Sequence, residues 1–257
     1  MKVDKLRTVI IYIIIILLGL VCLLPLLNIV AISFSSSAAV EGNMVGLIPV
    51  GFSTAAYKKI LEDSQFWHSF LISVERVVLA LIINFVLIVL MAYPLSKTNA
   101  QFRGRNIYAN LMIFAMLFNG GMIPTFLVVK SYGLLNTVWA LVLPGAVPIF
   151  NVILVMNFFA AVPKELEEAA FIDGANPFQV LTKIFIPISK PVLATVSLFS
   201  IVGSWNDFYS GLIYMSKAAY YPLMTYIQSL QINVEDLIKQ GNLSAVVDSA
   251  SLGNTNL

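Results

Sequence analysis

The sequence predicts an all-α integral membrane protein, a polytopic helical bundle with five transmembrane helices in its 257 residues. Three observations carry that prediction. First, 59% of the chain is hydrophobic and 11% is charged, whereas soluble domains average about 45–50% and about 25%. Too little polar surface remains to coat a water-soluble globule. Second, five stretches stay mostly apolar over the roughly 20 residues that a helix needs to cross a hydrocarbon core. Third, of the 15 basic and 13 acidic residues, only Glu75, Arg76 and Asp207 fall inside those stretches. A net charge of +2 argues against nucleic-acid binding, which needs a dense basic surface. The single cysteine, Cys22, cannot form an internal disulfide, and no Cys/His cluster has metal-ligand spacing.

The first span, Val9–Ile32, follows Lys2, Lys5 and Arg7. Its apolar run exceeds the roughly 7–15 residues of a signal-peptide core, so it reads as a retained anchor. The second, Trp67–Leu95, is apolar all round from Leu79 to Leu90, as suits a helix among lipid and other helices. Glu75 and Arg76 lie near its outer end, where snorkelling or a structural ion pair accounts for them, and His68 is an ordinary interfacial residue. The third, Ile107–Val129, carries Asn119-Gly120-Gly121 near its middle with Pro124 beyond, and Pro144 and Pro148 interrupt the fourth, Val138–Ala161. Gly and Pro are common in membrane helices, so these are either packing kinks or parts of a polar pathway. Backbone groups freed at that depth must be satisfied by protein or by a wetted cavity. The fifth span, Val192–Tyr214, contains Asp207.

Placing the N-terminus in the cytoplasm puts nine loop cations inside: Lys2, Lys5, Arg7, Lys97, Arg103, Arg105, Lys164, Lys183 and Lys190. Five remain outside: Lys58, Lys59, Lys130, Lys217 and Lys239. The excess favours that orientation. Residues 215–257 then form an extracytoplasmic segment, and Ile238–Leu257 is too rich in Gly, Asn and Asp for a sixth span.

Residues 162–190, between the fourth and fifth spans, encode two short helices. Pro163 suits a helix start, and Glu165, Glu167 and Glu168 suit its positive N-terminal end. Gly174 ends that helix in a left-handed conformation, and Asn176 caps a second helix with Pro177 at its first position. An interfacial hairpin on the bilayer is one reading. Three glutamates facing an anionic leaflet count against it, and a protein partner fits better.

The order Glu168-Ala169-Ala170, three residues, Gly174, nine residues, Ile184-Phe185-Ile186-Pro187 resembles the cytoplasmic signature of ABC importer permeases. Ile186 in place of Leu is the one departure. Phe118-Asn119-Gly120-Gly121-Met122-Ile123-Pro124-Thr125, Gly133-Leu134-Leu135-Asn136-Thr137 and Ser204-Trp205-Asn206-Asp207-Phe208 are similar to the carbohydrate-importer branch, and within it to permeases for complex oligosaccharides or polysaccharide fragments. The resemblance covers nearly the whole chain and implies a single permease domain, 1–257, of the type I importer fold. That family has six spans. The last, which would follow Asn254-Thr255-Asn256-Leu257, is missing from this sequence.

The resemblance further implies a bacterial cytoplasmic membrane, a second permease in a pseudo-symmetric heterodimer, two cytoplasmic ATPase subunits and an extracytoplasmic sugar-binding protein. Residues 162–190 would be the coupling loop, with Glu168, Ala169, Ala170, Asp173, Gly174, Ile184 and Pro187 meeting an ATPase. ATP and Mg would belong to that partner, and this chain would be no enzyme and hold no cofactor. In agreement, it has no Gly-x-x-x-x-Gly-Lys-Ser/Thr phosphate cradle.

Candidate path residues are the polar and aromatic side chains at depth: Trp205, Asn206, Asp207 and Tyr209, then Asn119, Asn151 and Asn157. An aromatic face stacks on a pyranose while Asn and Asp bond its hydroxyls. The same cluster equally reads as helix packing, with Asp207 paired to a neighbour, and a buried asparagine more often bonds an adjacent helix. The alternatives are a secondary transporter or channel subunit driven by an ion gradient, for which Asp207 is the one available ion ligand, and a membrane enzyme. No His-Glu, Ser-His or paired-Asp constellation lies in the spans.

Overall fold

The computed structural model describes the backbone of residues 2–118 and 120–239, with side chains over 7–118 and 120–231. Every regular element among them is helical. They fall into two compact units, 2–66 and 67–239. The expected path residue Asn119 and the end of the extracytoplasmic segment, 240–257, lie outside the described residues.

In the first unit, helix α1 (Lys2–Ser33) contains the first predicted span. Its 32 residues reach about 48 Å at 1.5 Å per residue. Apolar side chains all round it stand exposed, from Val9 through Val30, the pattern of a lipid-facing anchor. The following chain, with α2 (Ser37–Glu41) and α3 (Ala55–Glu62), folds back onto its end. Asn28 donates to the carbonyl of Gly46 at 2.7 Å, Ser53 N–H donates to Phe34 O at 2.9 Å, and the Phe34 ring stacks on Tyr57 at 4.9 Å.

The second unit is organised around α4 (Ser64–Leu95). Its buried positions Ser69, Ser73, Arg76, Ala80, Asn84, Ile88, Ala92 and Leu95 recur every three or four residues and form one face. That face is polar or small in its first half and apolar in its second.

The third predicted span is two helices, α5 (Arg105–Leu117) and α6 (Met122–Ser131). Gly121 at φ +90° precedes α6, a conformation open to glycine and strained for other residues. The fourth is broken as its prolines suggest. Helix α7 (Val138–Val142) runs into a 3₁₀ turn (Leu143–Gly145), and α8 (Ile149–Ala160) leaves at 47°. The coupling segment holds α9 (Lys164–Ile172), α10 (Pro177–Val180), a π-helical turn (Leu181–Phe185) and α11 (Ile186–Ile188).

The fifth span differs from expectation. The stretch Val192–Tyr214 is not one helix but α12 (Lys190–Asn206) and α13 (Tyr209–Tyr214). Asp207 is extended at φ −77°, ψ 102°, and its Oδ1 accepts the Ser210 N–H at 3.1 Å. A short polar side chain that caps the next helix competes with continuation of the last one. A 3₁₀ turn (Ala218–Tyr220) leads to α14 (Leu223–Lys239). There Thr225 donates to Phe208 O at 2.8 Å, a carbonyl that also accepts the Leu212 N–H at 3.2 Å, and so ties α14 to the start of α13. Gly211 makes room for that hydroxyl, since a Cβ there would lie 2.1 Å from Thr225 Oγ1.

Two apolar clusters bracket the unit. The larger joins Ile88, Ala92 and Leu95 of α4 to Val152, Val155 and Phe159 of α8, Val180 to Phe185 of the coupling segment, and Val192 to Val196 of α12. The smaller joins Val129, Ala140, Leu141, Tyr214 and Met215.

Candidate functional site

A cavity of about 280 Å³ with both polar and apolar walls opens beside the breaks in the fourth and fifth spans. Helix α4 supplies Arg76, Ala80 and Asn84, α8 supplies Asn151, and α12 supplies Ser200, Gly203 and Ser204, with Asp207 and Ser210 at the second break. Leu141, Pro144, Gly145 and Pro148 at the first break complete its wall. Freed backbone in a membrane helix is tolerated where it meets protein or a wet cavity, and both breaks here do so.

Arg76 sits at the centre of this arrangement and is 4% exposed. Its Nη1 donates to the Asp207 carbonyl at 2.9 Å and its Nη2 pairs with the Asp207 carboxylate. One guanidinium thus satisfies both the carbonyl released by the helix break and the acid that makes the break. Its Nε, fully buried, has no hydrogen-bond partner. Asn84, 7% exposed, donates to Ser200 Oγ at 3.3 Å; with its amide turned over it reaches Ala80 O at 3.2 Å and Ala146 O at 3.0 Å instead. The turned orientation makes two good bonds and serves another freed carbonyl of the broken fourth span.

Of the expected path residues, Asp207 and Asn151 come together in this cavity. Trp205 does not line it, and packs edge-on against Phe70 at 6.0 Å. Asn206 is exposed and donates to Val202 O, one turn back in its own helix, at 2.9 Å. Tyr209 is exposed, with its hydroxyl 2.7 Å from Met122 Sδ. Asn157 lies on α8 outside the cavity wall. Arg76, Asn84 and Ser200 were not among the expected path residues. Their sequence signal is the stripe Ser69, Ser73, Arg76, Ala80, Asn84, small or polar residues at helical spacing through an apolar run.

The second candidate surface is the coupling segment. Helix α9 ends as its glycine predicts. Gly174 has φ +82°, its N–H bonds Phe171 O at 3.1 Å, and Ala175 N–H bonds Ala170 O at 2.9 Å. Those two bonds form a Schellman motif. Asn176 Oδ1 accepts the Gln179 N–H at 2.9 Å, and Gln179 Oε1 accepts the Asn176 N–H at 2.9 Å, a reciprocal capping box. The turn is closed by its own local bonds and presents Leu166, Phe171, Ile172 and Phe178 to the surface, Ile172 being 86% exposed. Glu168, Ala169, Asp173 and Pro187 are exposed, whereas Ala170 and Ile184 are half-buried against the large apolar cluster. Ala170, Asp173, Gly174 and Ile184 line an open groove of about 440 Å³.

One acid of the hairpin turns inward. Glu167, 8% exposed, accepts from Lys97 Nζ at 2.7 Å, and Nζ lies 4.1 Å from the ring centres of both Tyr93 and Phe185. Burial holds the Lys97 ammonium below the ordinary lysine range, and the Glu167 carboxylate opposes that fall. This box escapes sequence reasoning because 70 residues separate its two charges.

The model of a family described as "Binding-protein-dependent transport system inner membrane component" matches residues 71–247. Protein LplC of Bacillus subtilis (strain 168) is 44% identical over 214 residues, 83% of this chain and 72% of LplC. The polygalacturonan/rhamnogalacturonan transport system permease protein YtcP of the same organism is 39% identical over 241 residues, 94% of this chain and 83% of YtcP. Among solved structures, a bacterial ABC transporter involved in the import of the acidic polysaccharide alginate superposes with a TM-score of 0.82. That match is 33% identical and covers 90% of this chain and 81% of the other.

Proposed function

From the premise that the chain belongs to the family of binding-protein-dependent transport system inner membrane components, we propose that it forms half of the translocation path for an oligosaccharide or polysaccharide fragment. It is a transport permease of the inner membrane. In this reading it pairs with a second permease, an extracytoplasmic binding protein delivers the sugar, and two cytoplasmic ATPase subunits bind the ATP and Mg. The N-terminus is cytoplasmic, in keeping with the distribution of Lys and Arg.

The observation that carries the coupling half of this reading is the pre-formed hairpin with Ile172 and Phe178 at its tip, 86% and 66% exposed. Apolar side chains held outward by a Schellman turn and a capping box suit burial in a groove of a protein partner. Glu168, Ala169, Ala170, Asp173, Gly174, Ile184 and Pro187 shape that surface. The chain's part in the cycle is mechanical. Closure of the ATPase dimer displaces the hairpin, and the hairpin, packed through Val180, Leu181 and Phe185 on α4, α8 and α12, moves the spans.

For the path, exposed Asn206 and Tyr209 face outward from this half, where a second permease would complete a passage, while Asp207 and Asn151 border the inner cavity. Trp205 serves the path through its packing on Phe70. The permease named for polygalacturonan and rhamnogalacturonan and the transporter of alginate support polysaccharide fragments, acidic ones included, as cargo.

The test is co-expression with candidate ATPase and permease partners, followed by affinity purification and an uptake assay in proteoliposomes with oligogalacturonides. ATPase subunits should copurify with the unmodified chain and be lost from Ile172→Asp and Phe178→Asp, and the liposomes should accumulate sugar only with ATP and the binding protein. Uptake supported by an ion gradient without ATP would overturn the reading in favour of a secondary transporter.

A further inference from the structure

Two charged side chains that are nearly or fully out of water fasten α4, Arg76 within the helix and Lys97 just beyond its last residue. At its cytoplasmic end α4 stops at Leu95 and passes into a tight turn, with Ser96 N–H on Ala92 O at 2.9 Å and Lys97 N–H on Pro94 O at 3.3 Å. Those turn bonds tie Lys97 to the end of α4, and its Nζ is clamped by Glu167 of α9, Tyr93 of α4 and Phe185 of the π turn. Both side chains of the pair are about nine-tenths buried, at 12% and 11% exposed. Further up the helix, Arg76 holds the backbone and carboxylate of Asp207, at the break between α12 and α13. About five helical turns, roughly 28 Å, separate Arg76 from Leu95.

We propose that α4 is the transmission rod of this permease, with Lys97–Glu167 as the joint that takes up movement of the coupling hairpin and Arg76–Asp207 as the joint that delivers it to the cavity. The inference rests on the docking of the hairpin proposed above. A long helix resists bending, so a shift applied at Lys97 arrives at Arg76 nearly undiminished. The recipient is a break with few backbone bonds of its own, able to change angle at low cost. The two joints differ in kind from the apolar contacts around them, because a buried charge held between two rings, as Lys97 is, or by two directed hydrogen bonds, as Arg76 is, has one favourable place to sit. Lys97, Glu167 and Arg76 are positioning residues in this scheme.

The experiment uses the assembled transporter in nanodiscs, with Cys22→Ser to remove the native thiol and Ser204→Cys as a reporter in the cavity wall. The rate of labelling by a methanethiosulfonate reagent is measured with and without ATP plus vanadate. The reporter complex should show a nucleotide-dependent change in rate. Lys97→Met and Glu167→Gln should reduce that change at least fivefold while the ATPase subunits still copurify, and Lys97→Arg should restore most of it. Arg76→Met, remote from the hairpin, should abolish the change by severing the other joint. A response within twofold of the reporter complex in Lys97→Met and Glu167→Gln would overturn the proposal. So would loss of the ATPase subunits from both, since the pair would then serve docking. Failure of the ATPase to bind the reporter complex itself would instead strike at the docking reading.

Discussion

Arg76 and Asp207 illustrate how a membrane interior treats charge. Neither belongs at that depth alone, and each makes the other tolerable by pairing and hydrogen bonding. Breaking a buried pair costs about 3–5 kcal/mol because the partner is left uncompensated. The two members are not equivalent. Arg76 is 4% exposed, whereas Asp207 is 29% exposed and keeps the Ser210 N–H. Asp207→Ala should therefore lower the melting temperature of the purified complex more than Arg76→Met, and Arg76→Met/Asp207→Ala should recover part of the loss. Strictly additive effects in that cycle would show that the two side chains do not act as a pair. Sugar uptake measured on the same samples separates packing from passage, since reduced stability with normal uptake assigns the pair to packing alone.

Lys97 gives a pH dependence at the same scale. Its pKa is lowered from 10.5 chiefly by desolvation, with the Glu167 pair acting the other way. Between the folded value and 10.5 the unfolded chain binds more protons than the folded one, so stability rises with pH through that window and the rise ends near 10.5. Glu167→Gln removes the opposing contribution, lowers the Lys97 pKa further and extends the window downward. Thermal melts of the two proteins across the alkaline range should diverge in slope, and parallel profiles would remove Lys97 from the account.

At the scale of elements, the α9–α10 hairpin is determined by local chemistry. Gly174 adopts φ +82°, and a Cβ there would meet no atom within 4 Å. The whole cost of a side chain at this position is thus conformational, about 1–2 kcal/mol for most residues and less for asparagine, which tolerates the left-handed region. Transport should fall in the order Gly174→Asn, Gly174→Ala, Gly174→Val, while membrane insertion and subunit yield hold. Equal transport by the asparagine and valine variants would rule out a conformational role for Gly174. The breaks in the fourth and fifth spans follow another logic. Pro148 removes a donor, Asp207 offers its own cap, and the Asp207 carbonyl set free is taken by Arg76.

For the whole molecule, the proposed orientation rests on cation placement and is tested by labelling. With Cys22→Ser as background, cysteines at Arg103 and Lys183 should resist an impermeant thiol reagent in intact cells, and cysteines at Lys58 and Lys217 should react. Reaction at position 183 would invert the topology and take the hairpin away from any cytoplasmic partner.

Membrane class, the second span and both caps of the hairpin were legible in the chain, because each depends on residues close in sequence. Length and apolarity define a span, and Asn176-Pro177 with Gln179 caps a helix whatever surrounds it. The break at Asp207 was not legible, since Val192–Tyr214 is long and apolar enough to run straight and only the partners of Asp207 stabilise its interruption. The same holds for the cavity and for the Lys97–Glu167 box, whose members come from helices distant in sequence. The sequence determined what must leave water and where local turns form. Tertiary structure decided which charge meets which, because burying a charge is tolerable only beside a partner that folding brings to it.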